Sequence, residues 1–407
     1  MAAGGDKTGV NANNRLQELD SLRGLAALSV AFSHHLIVLP VFFLETFNKP
    51  IWPNALKYTP LHIFWSGHEA VVLFFIMSGF VLSLPFYAHK AGSYTQFLTR
   101  RFCRIYIPYI VSVVAALMAC ALFSRHGVAD LSFWFNLRWN EAATWRDFWQ
   151  HASLIGMFRC NEFNPVLWSL VHEARISLIF PLLMWLVMRL DWRVCLALSY
   201  AAAVCGYAFE TRPWVTIDLL HTCSYLPMFV VGIVLARCKD SLVSAVRRLT
   251  PPAQYAQVAL AVALYTYPSS WAQVRKIHTA MVNDIAITAG AAMFIVLALS
   301  STKMAGLLNL QPVRFLGKIS YSFYLYHAIV MLTAIHLFFG RAPLPVILLS
   351  SLVMGVVVSW LAYRLVEEPS IRLGRWLTRA KSLAPGDAVK YAPDQVNDRT
   401  YARIERP

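Results

Sequence analysis

Apolar residues in this chain come in long runs separated by short polar and basic stretches. A helix needs ~20 mostly apolar residues to cross the hydrocarbon core of a bilayer. Ten runs approach that length: 22–44, 70–87, 105–123, 166–190, 194–209, 219–236, 254–267, 284–299, 315–339 and 344–365. The fifth and seventh are short. The pattern predicts an all-α, polytopic integral membrane protein with about ten transmembrane helices and no separate soluble domain. The longest connection, 124–165, carries Phe133, Trp134, Trp139, Trp145, Phe148 and Trp149. Such a loop is expected on the membrane interface, where aromatic rings accumulate.

Lys and Arg set the orientation. One alternate set of connections holds Arg15 and Arg23; Lys90, Arg100, Arg101 and Arg104; Arg189 and Arg193; Arg237, Lys239, Arg247 and Arg248; Lys303, Arg314 and Lys318; and Arg372, Arg375, Arg379 and Lys381. The positive-inside rule places that set, and with it both termini, in the cytoplasm. An even number of spans agrees. The first 20 residues are polar and no small-residue cleavage site follows the first run, so this run is expected to be an uncleaved anchor. The chain divides into a cytoplasmic tail (1–18), a membrane domain (19–373) and a polar tail (374–407) expected to be disordered.

Composition narrows the class. Hydrophobic residues make up 58%, charged residues 14%, and mean hydropathy is +0.52. Soluble domains carry ~25% charged residues, so lipid rather than water must cover most of this surface. Disorder and a disulfide scaffold are excluded on the same grounds. The net charge of +15 lies in patches between apolar runs, which argues against nucleic acid as a partner. The seven cysteines form no C-x-x-C pair and read as small buried apolar residues. Cys160 and Cys223 are the only two expected on the outer side.

Ionisable groups within spans are costly and mark function. Arg23 opens the first span. His34 follows eleven residues later, ~16 Å deeper at ~1.5 Å per residue and close to three turns on, hence near mid-membrane on the same face. His35 points about 100° away. In the fourth span Glu173 is expected ~10 Å below the outer face, at the depth of His34, where a carboxylate can orient an imidazole for general base chemistry. A Glu–Arg pair across helices is the competing reading. His327, in Ser320-Tyr321-Ser322-Phe323-Tyr324-Leu325-Tyr326-His327, also falls mid-membrane. Glu367 and Glu368 precede Pro369 at the inner end of the last span. Arg100, Arg101 and Arg104 open the third span, with Arg100 and Arg104 one turn apart on a shared face, and clustered guanidinium groups suit phosphates. Ser78-Gly79 lies mid-span in Phe74–Phe80. Walker, GxSxG, HExxH and metal-type Cys/His spacings are missing from the sequence.

Taken in order, Arg23-Gly24 with His34, Phe74–Phe80, Arg100-Arg101 with Arg104 and Pro108, Trp168-Ser169-Leu170 with Glu173, Ser320–His327, and Glu367-Glu368-Pro369 resemble the motifs of the acyltransferase-3 family of bacterial membrane acyltransferases, over roughly residues 16–373. Two positions depart from the family pattern. Val72 stands where Asp is frequent, with Glu69 three residues earlier, and Glu368 stands where a basic residue is common. The resemblance implies acyl transfer, with acetyl as the expected group, from cytoplasmic acyl-CoA to a hydroxyl of a sugar, polysaccharide or lipid-linked acceptor. The setting would be the bacterial inner membrane, and acyl-CoA would be a co-substrate rather than a resident cofactor. Arg23 and the arginines of span 3 would hold CoA phosphates. His34 would act as base or as transient acyl carrier, and Ser78, Tyr321 or Tyr324 would donate a hydrogen bond to the developing oxyanion. A transporter is the alternative. It calls for internal repeats, and Arg23–His34 has no counterpart in the second half. A membrane sensor or scaffold would need no convergence of His34, Glu173 and His327.

Overall fold

The computed structural model describes residues 16–43, 59–124, 127–154, 160–210, 219–267 and 280–379. Each of the ten runs coincides with a helix: α1 (Gln17–Ile37), α2 (Gly67–Tyr87), α3 (Tyr94–Phe123), α4 (Leu167–Arg189), α5 (Trp192–Glu210), α6 (Leu220–Arg237), α7 (Pro251–Tyr265), α8 (Ala280–Ser300), α9 (Gln311–Phe338) and α10 (Leu344–Arg379). Lipid offers the backbone no partners, so each span must satisfy its own N–H and C=O groups, and a helix does this within one segment. Seven of these helices, α2, α3, α4, α6, α8, α9 and α10, are long and apolar enough to cross a membrane, and α5 is a shorter apolar helix. The fold is all-α, and the protein has several membrane spans.

Helix α1 has the length, 21 residues, but its Glu18, Asp20, Arg23, His34 and His35 lower its apolarity. It also starts and ends earlier than the run at 22–44 suggests. Pro40 cannot continue a helix whose N–H groups must bond backwards, so α1 stops at Ile37 and the short helix Pro40–Phe43 follows. His34 therefore sits one turn from the end of its helix rather than midway along it.

Helix α1 packs against α9 and α2, α9 against α10, and α2 against α6. Apolar side chains such as Leu122, Leu178, Leu182, Leu349, Val353 and Leu365 point outward, which is the arrangement a lipid-facing surface requires. The aromatic connection divides. Trp145, Trp149 and Phe133 are exposed, whereas Trp139 and Phe135 are buried under the bundle's end, so only part of it behaves as an interfacial belt. Helix α10 continues to Arg379, past the start of the expected polar tail, and residues 1–15 and 380–407 lie outside the described residues. Cys223 is a free thiol. The Cys160 side chain lies outside the described residues.

Candidate active site

The site begins with two glycines. A Cβ on Gly24 would press on the backbone of Leu316 and Gly317, and one on Gly317 would press on Asp20 and Ser21. Helices α1 and α9 therefore touch backbone to backbone at this level. His34 stands ten residues beyond Gly24 and His327 ten residues beyond Gly317. Two parallel helices matched at one level stay matched ~15 Å further on, and the two imidazoles meet there. His34 Nδ1 and His327 Nε2 are 2.9 Å apart. The rings are nearly coplanar, at 11°, with centroids 5.2 Å apart, which is an in-line edge-to-edge hydrogen bond.

The proton positions follow from His327's other nitrogen. His327 Nδ1 lies 2.9 Å from the Phe323 carbonyl oxygen, which can only accept, so Nδ1 carries the hydrogen. In the neutral ring Nε2 then has the lone pair and accepts from His34 Nδ1–H. That leaves His34 Nε2 as a lone-pair nitrogen, with no hydrogen bond among the described residues, on a half-buried ring. His327 is 1% exposed. His35 does turn elsewhere, as the helical step requires: it is buried between the Ala31 carbonyl (2.7 Å) and Ser351 Oγ (3.1 Å).

On the other side of Tyr324 lies a small, partly open cavity, whose lining includes Arg23, Arg101, Arg104, Glu173, Tyr321 and Tyr324. The Tyr324 ring also stands 6.3 Å from that of His327, so this residue borders both the cavity and the histidine pair. Glu173 does not orient His34. It accepts from Ser78 Oγ (2.7 Å) and pairs with Arg101 Nη2 (3.3 Å), which also donates to Ser177 Oγ (3.2 Å). The Glu–Arg reading across helices is the one realised. A shared depth fixes one coordinate, and packing places Glu173 on the cavity wall instead.

The arginine triplet also splits. Residues Phe102–Tyr106 form a π turn, which breaks the 100° step that had put Arg100 and Arg104 on one face. Arg101 and Arg104 reach the cavity, while Arg100 Nε donates to Thr378 Oγ1 on α10 at 2.9 Å. Glu367 is buried, accepts from Ser322 Oγ at 2.6 Å and lies in the field of Arg104 and Arg23. Glu368 is turned outward to Arg364 and Arg372.

The three hydroxyls considered for an oxyanion already use their protons. Ser78 donates to Glu173, and Tyr321 donates to the Ile105 carbonyl at 2.8 Å. Ser169 Oγ donates to the Val166 carbonyl (3.1 Å), which leaves Tyr324 donating to Ser169 (2.7 Å).

Reading the spans alone misses Trp134 and Arg138. Ser132 caps the end of α1, its Oγ on the Ile37 carbonyl (2.6 Å) and its N–H on that of Val38 (2.9 Å). This draws the following turn over the histidines. Trp134 packs beside His34 with ring centroids 5.4 Å apart, and the Arg138 guanidinium lies 4.6 Å over the Trp134 ring. The signal was present as Trp134-x-x-x-Arg138, a one-turn aromatic–cation spacing, in a loop read only as an aromatic belt.

The comparisons with known proteins bear on this geometry. A family model described as an acyltransferase domain, acyltransferase 3, matches residues 16–364, the segment that holds the histidine pair, the cavity lining and the Trp134–Arg138 turn. The chain belongs to the acyltransferase-3 family. It is similar to the acyltransferase MdmB of Streptomyces mycarofaciens, with 28% identity over 408 residues that cover 93% of this chain and 97% of that protein. No solved structure matches it. It is accordingly a membrane acyltransferase of the class that transfers groups other than amino-acyl groups.

Proposed function

We propose that the protein transfers an acyl group, acetyl being the expected one, from cytoplasmic acyl-CoA to a hydroxyl of a sugar, polysaccharide or lipid-linked acceptor at the bacterial inner membrane. His34 is the general base. The observation that carries this reading is the in-line His34–His327 bond, with His327 anchored on the Phe323 carbonyl. It holds His34 in the tautomer whose Nε2 lone pair can take a proton. When Nε2 does so, the imidazolium keeps a strong charge-assisted bond to His327. His327 is thus a positioning residue, with the part that a carboxylate plays in other base–orienter pairs. The cavity supports the donor side of the reading. Arg23, Arg101 and Arg104 line it and suit CoA phosphates, while Glu173 holds Arg101 in place. Tyr324 marks the way from this cavity to the base.

The test compares His34→Ala, His35→Ala and His327→Phe in detergent, with radiolabelled acetyl-CoA as donor and an envelope extract as acceptor. General base catalysis contributes roughly 10²–10⁴-fold. His34→Ala is expected to lose turnover on that scale with donor KM unchanged. His327→Phe should lose less, and His35→Ala should keep substantial activity. A His34→Ala enzyme with near-native turnover would remove His34 from the chemistry.

A further inference from the structure

In the transfer step the acceptor oxygen bonds to the thioester carbonyl carbon. The carbonyl π pair moves onto oxygen, and the hydroxyl proton passes to His34 Nε2. Collapse re-forms the C=O bond and breaks C–S, and His34 returns its proton to the departing sulfur, leaving ester and CoA thiol. The transient oxyanion forms where water is scarce and needs a donor aimed at it. Ser78, Tyr321 and Tyr324 direct their protons elsewhere.

Arg138 remains. It is 9% exposed, and its Nε is buried without a hydrogen-bond partner. A buried N–H left unpaired is unfavourable, a cost that a ligand oxygen would remove. The guanidinium sits on Trp134, which itself packs beside His34, so the cation lies one ring away from the base. The support is rigid. The Asn136 side chain donates to the Val128, Leu131 and Ser132 carbonyls and accepts from the Val128 N–H, and Trp139 Nε1 donates to the Phe163 carbonyl at 2.9 Å. Burial lowers the Arg138 pKa to about 10, against the opposing pull of Glu162, so Arg138 stays a cation at neutral pH.

We infer that Arg138 is a catalytic residue contributed by the outer connection, its guanidinium donating to the oxyanion formed on the donor's carbonyl beside His34. This rests on His34 marking the place of reaction. Arg138 on Trp134 then closes the outer end of the site that the arginine cavity opens from the inner end, and the acceptor must enter alongside this loop.

The experiment measures turnover and donor KM for Arg138→Gln, Arg138→Lys and His34→Ala with acetyl-CoA and envelope extract, together with each variant's unfolding midpoint. Loss of one oxyanion donor costs roughly 10²–10³-fold in turnover. Arg138→Gln should show that loss with donor KM unchanged. Arg138→Lys retains the charge and covers the case in which the neutral variant does not fold. Its ammonium lacks the planar fork that rests on Trp134, so at least a tenfold loss is expected. Native turnover in either variant overturns the inference. An active His34→Ala enzyme would sink the base assignment separately, because the oxyanion forms whichever group takes the proton.

Discussion

Gly24→Ala should damage catalysis from a distance, by an amount the geometry sets. The new Cβ would fall 2.6 Å from the Leu316 carbonyl carbon and 2.8 Å from Gly317 Cα. These are backbone atoms with no rotamer to swing away. Carbon atoms rest at ~3.5–4.0 Å, so α1 and α9 must part by about 1 Å. Overpacking of this kind costs roughly 1–3 kcal/mol. If the helices part as rigid bodies, the 2.9 Å His34–His327 bond opens to about 3.9 Å, beyond hydrogen-bond range. A misplacement near 1 Å costs up to ~10²-fold in rate, so turnover should fall by about 10- to 100-fold while donor KM stays near native. Gly306→Ala, with nothing within 4 Å, and Gly355→Ala, with its nearest neighbour at 3.7 Å, are the controls expected to behave as the parent. The assay is labelled acetyl transfer at matched folded protein, alongside a thermal unfolding curve. A Gly24→Ala enzyme that is less stable yet fully active per folded molecule would refute the claim that this contact sets the histidine pair.

The arginine-lined cavity and the orientation give two further expectations. Arg104→Ala should raise donor KM by roughly 10- to 150-fold, the equivalent of about 1.5–3 kcal/mol for a charge-assisted phosphate bond. Arg100→Ala, whose guanidinium goes to Thr378, should leave donor KM alone; an unchanged donor KM in Arg104→Ala as well would mean that both arginines are only anchors. Trp145→Cys, on the exposed part of the aromatic connection, should react with an impermeant thiol reagent in intact cells, and Arg375→Cys, exposed on α10, only after permeabilisation. The reverse pattern would invert the topology.

What the sequence determined by itself was whatever depends on neighbours along the chain. Each of the ten apolar runs became a helix because backbone satisfaction in lipid is a local demand. The Arg23-Gly24 and His34 spacing, the Ser320–His327 segment and the basic entry to α3 were legible for the same reason, and they sufficed to point to the family. Where a local rule was broken by a local feature, the reading slipped by one turn: Pro40 ended α1 early, and the π turn at Phe102–Tyr106 sent Arg100 to Thr378 and left Arg101 and Arg104 in the cavity. Partnerships were decided only by the tertiary structure. Depth along a span can be counted from sequence and puts Glu173 level with His34, but azimuth and helix neighbours cannot be counted that way. The backbone contact of Gly24 with Gly317 set the register that gave His34 to His327 and left Glu173 to Arg101. Arg138 was the hardest to foresee. Its place on Trp134, one ring away from His34, depends on Ser132 capping a helix 95 residues away in sequence, and no periodicity within the loop encodes that fold-back.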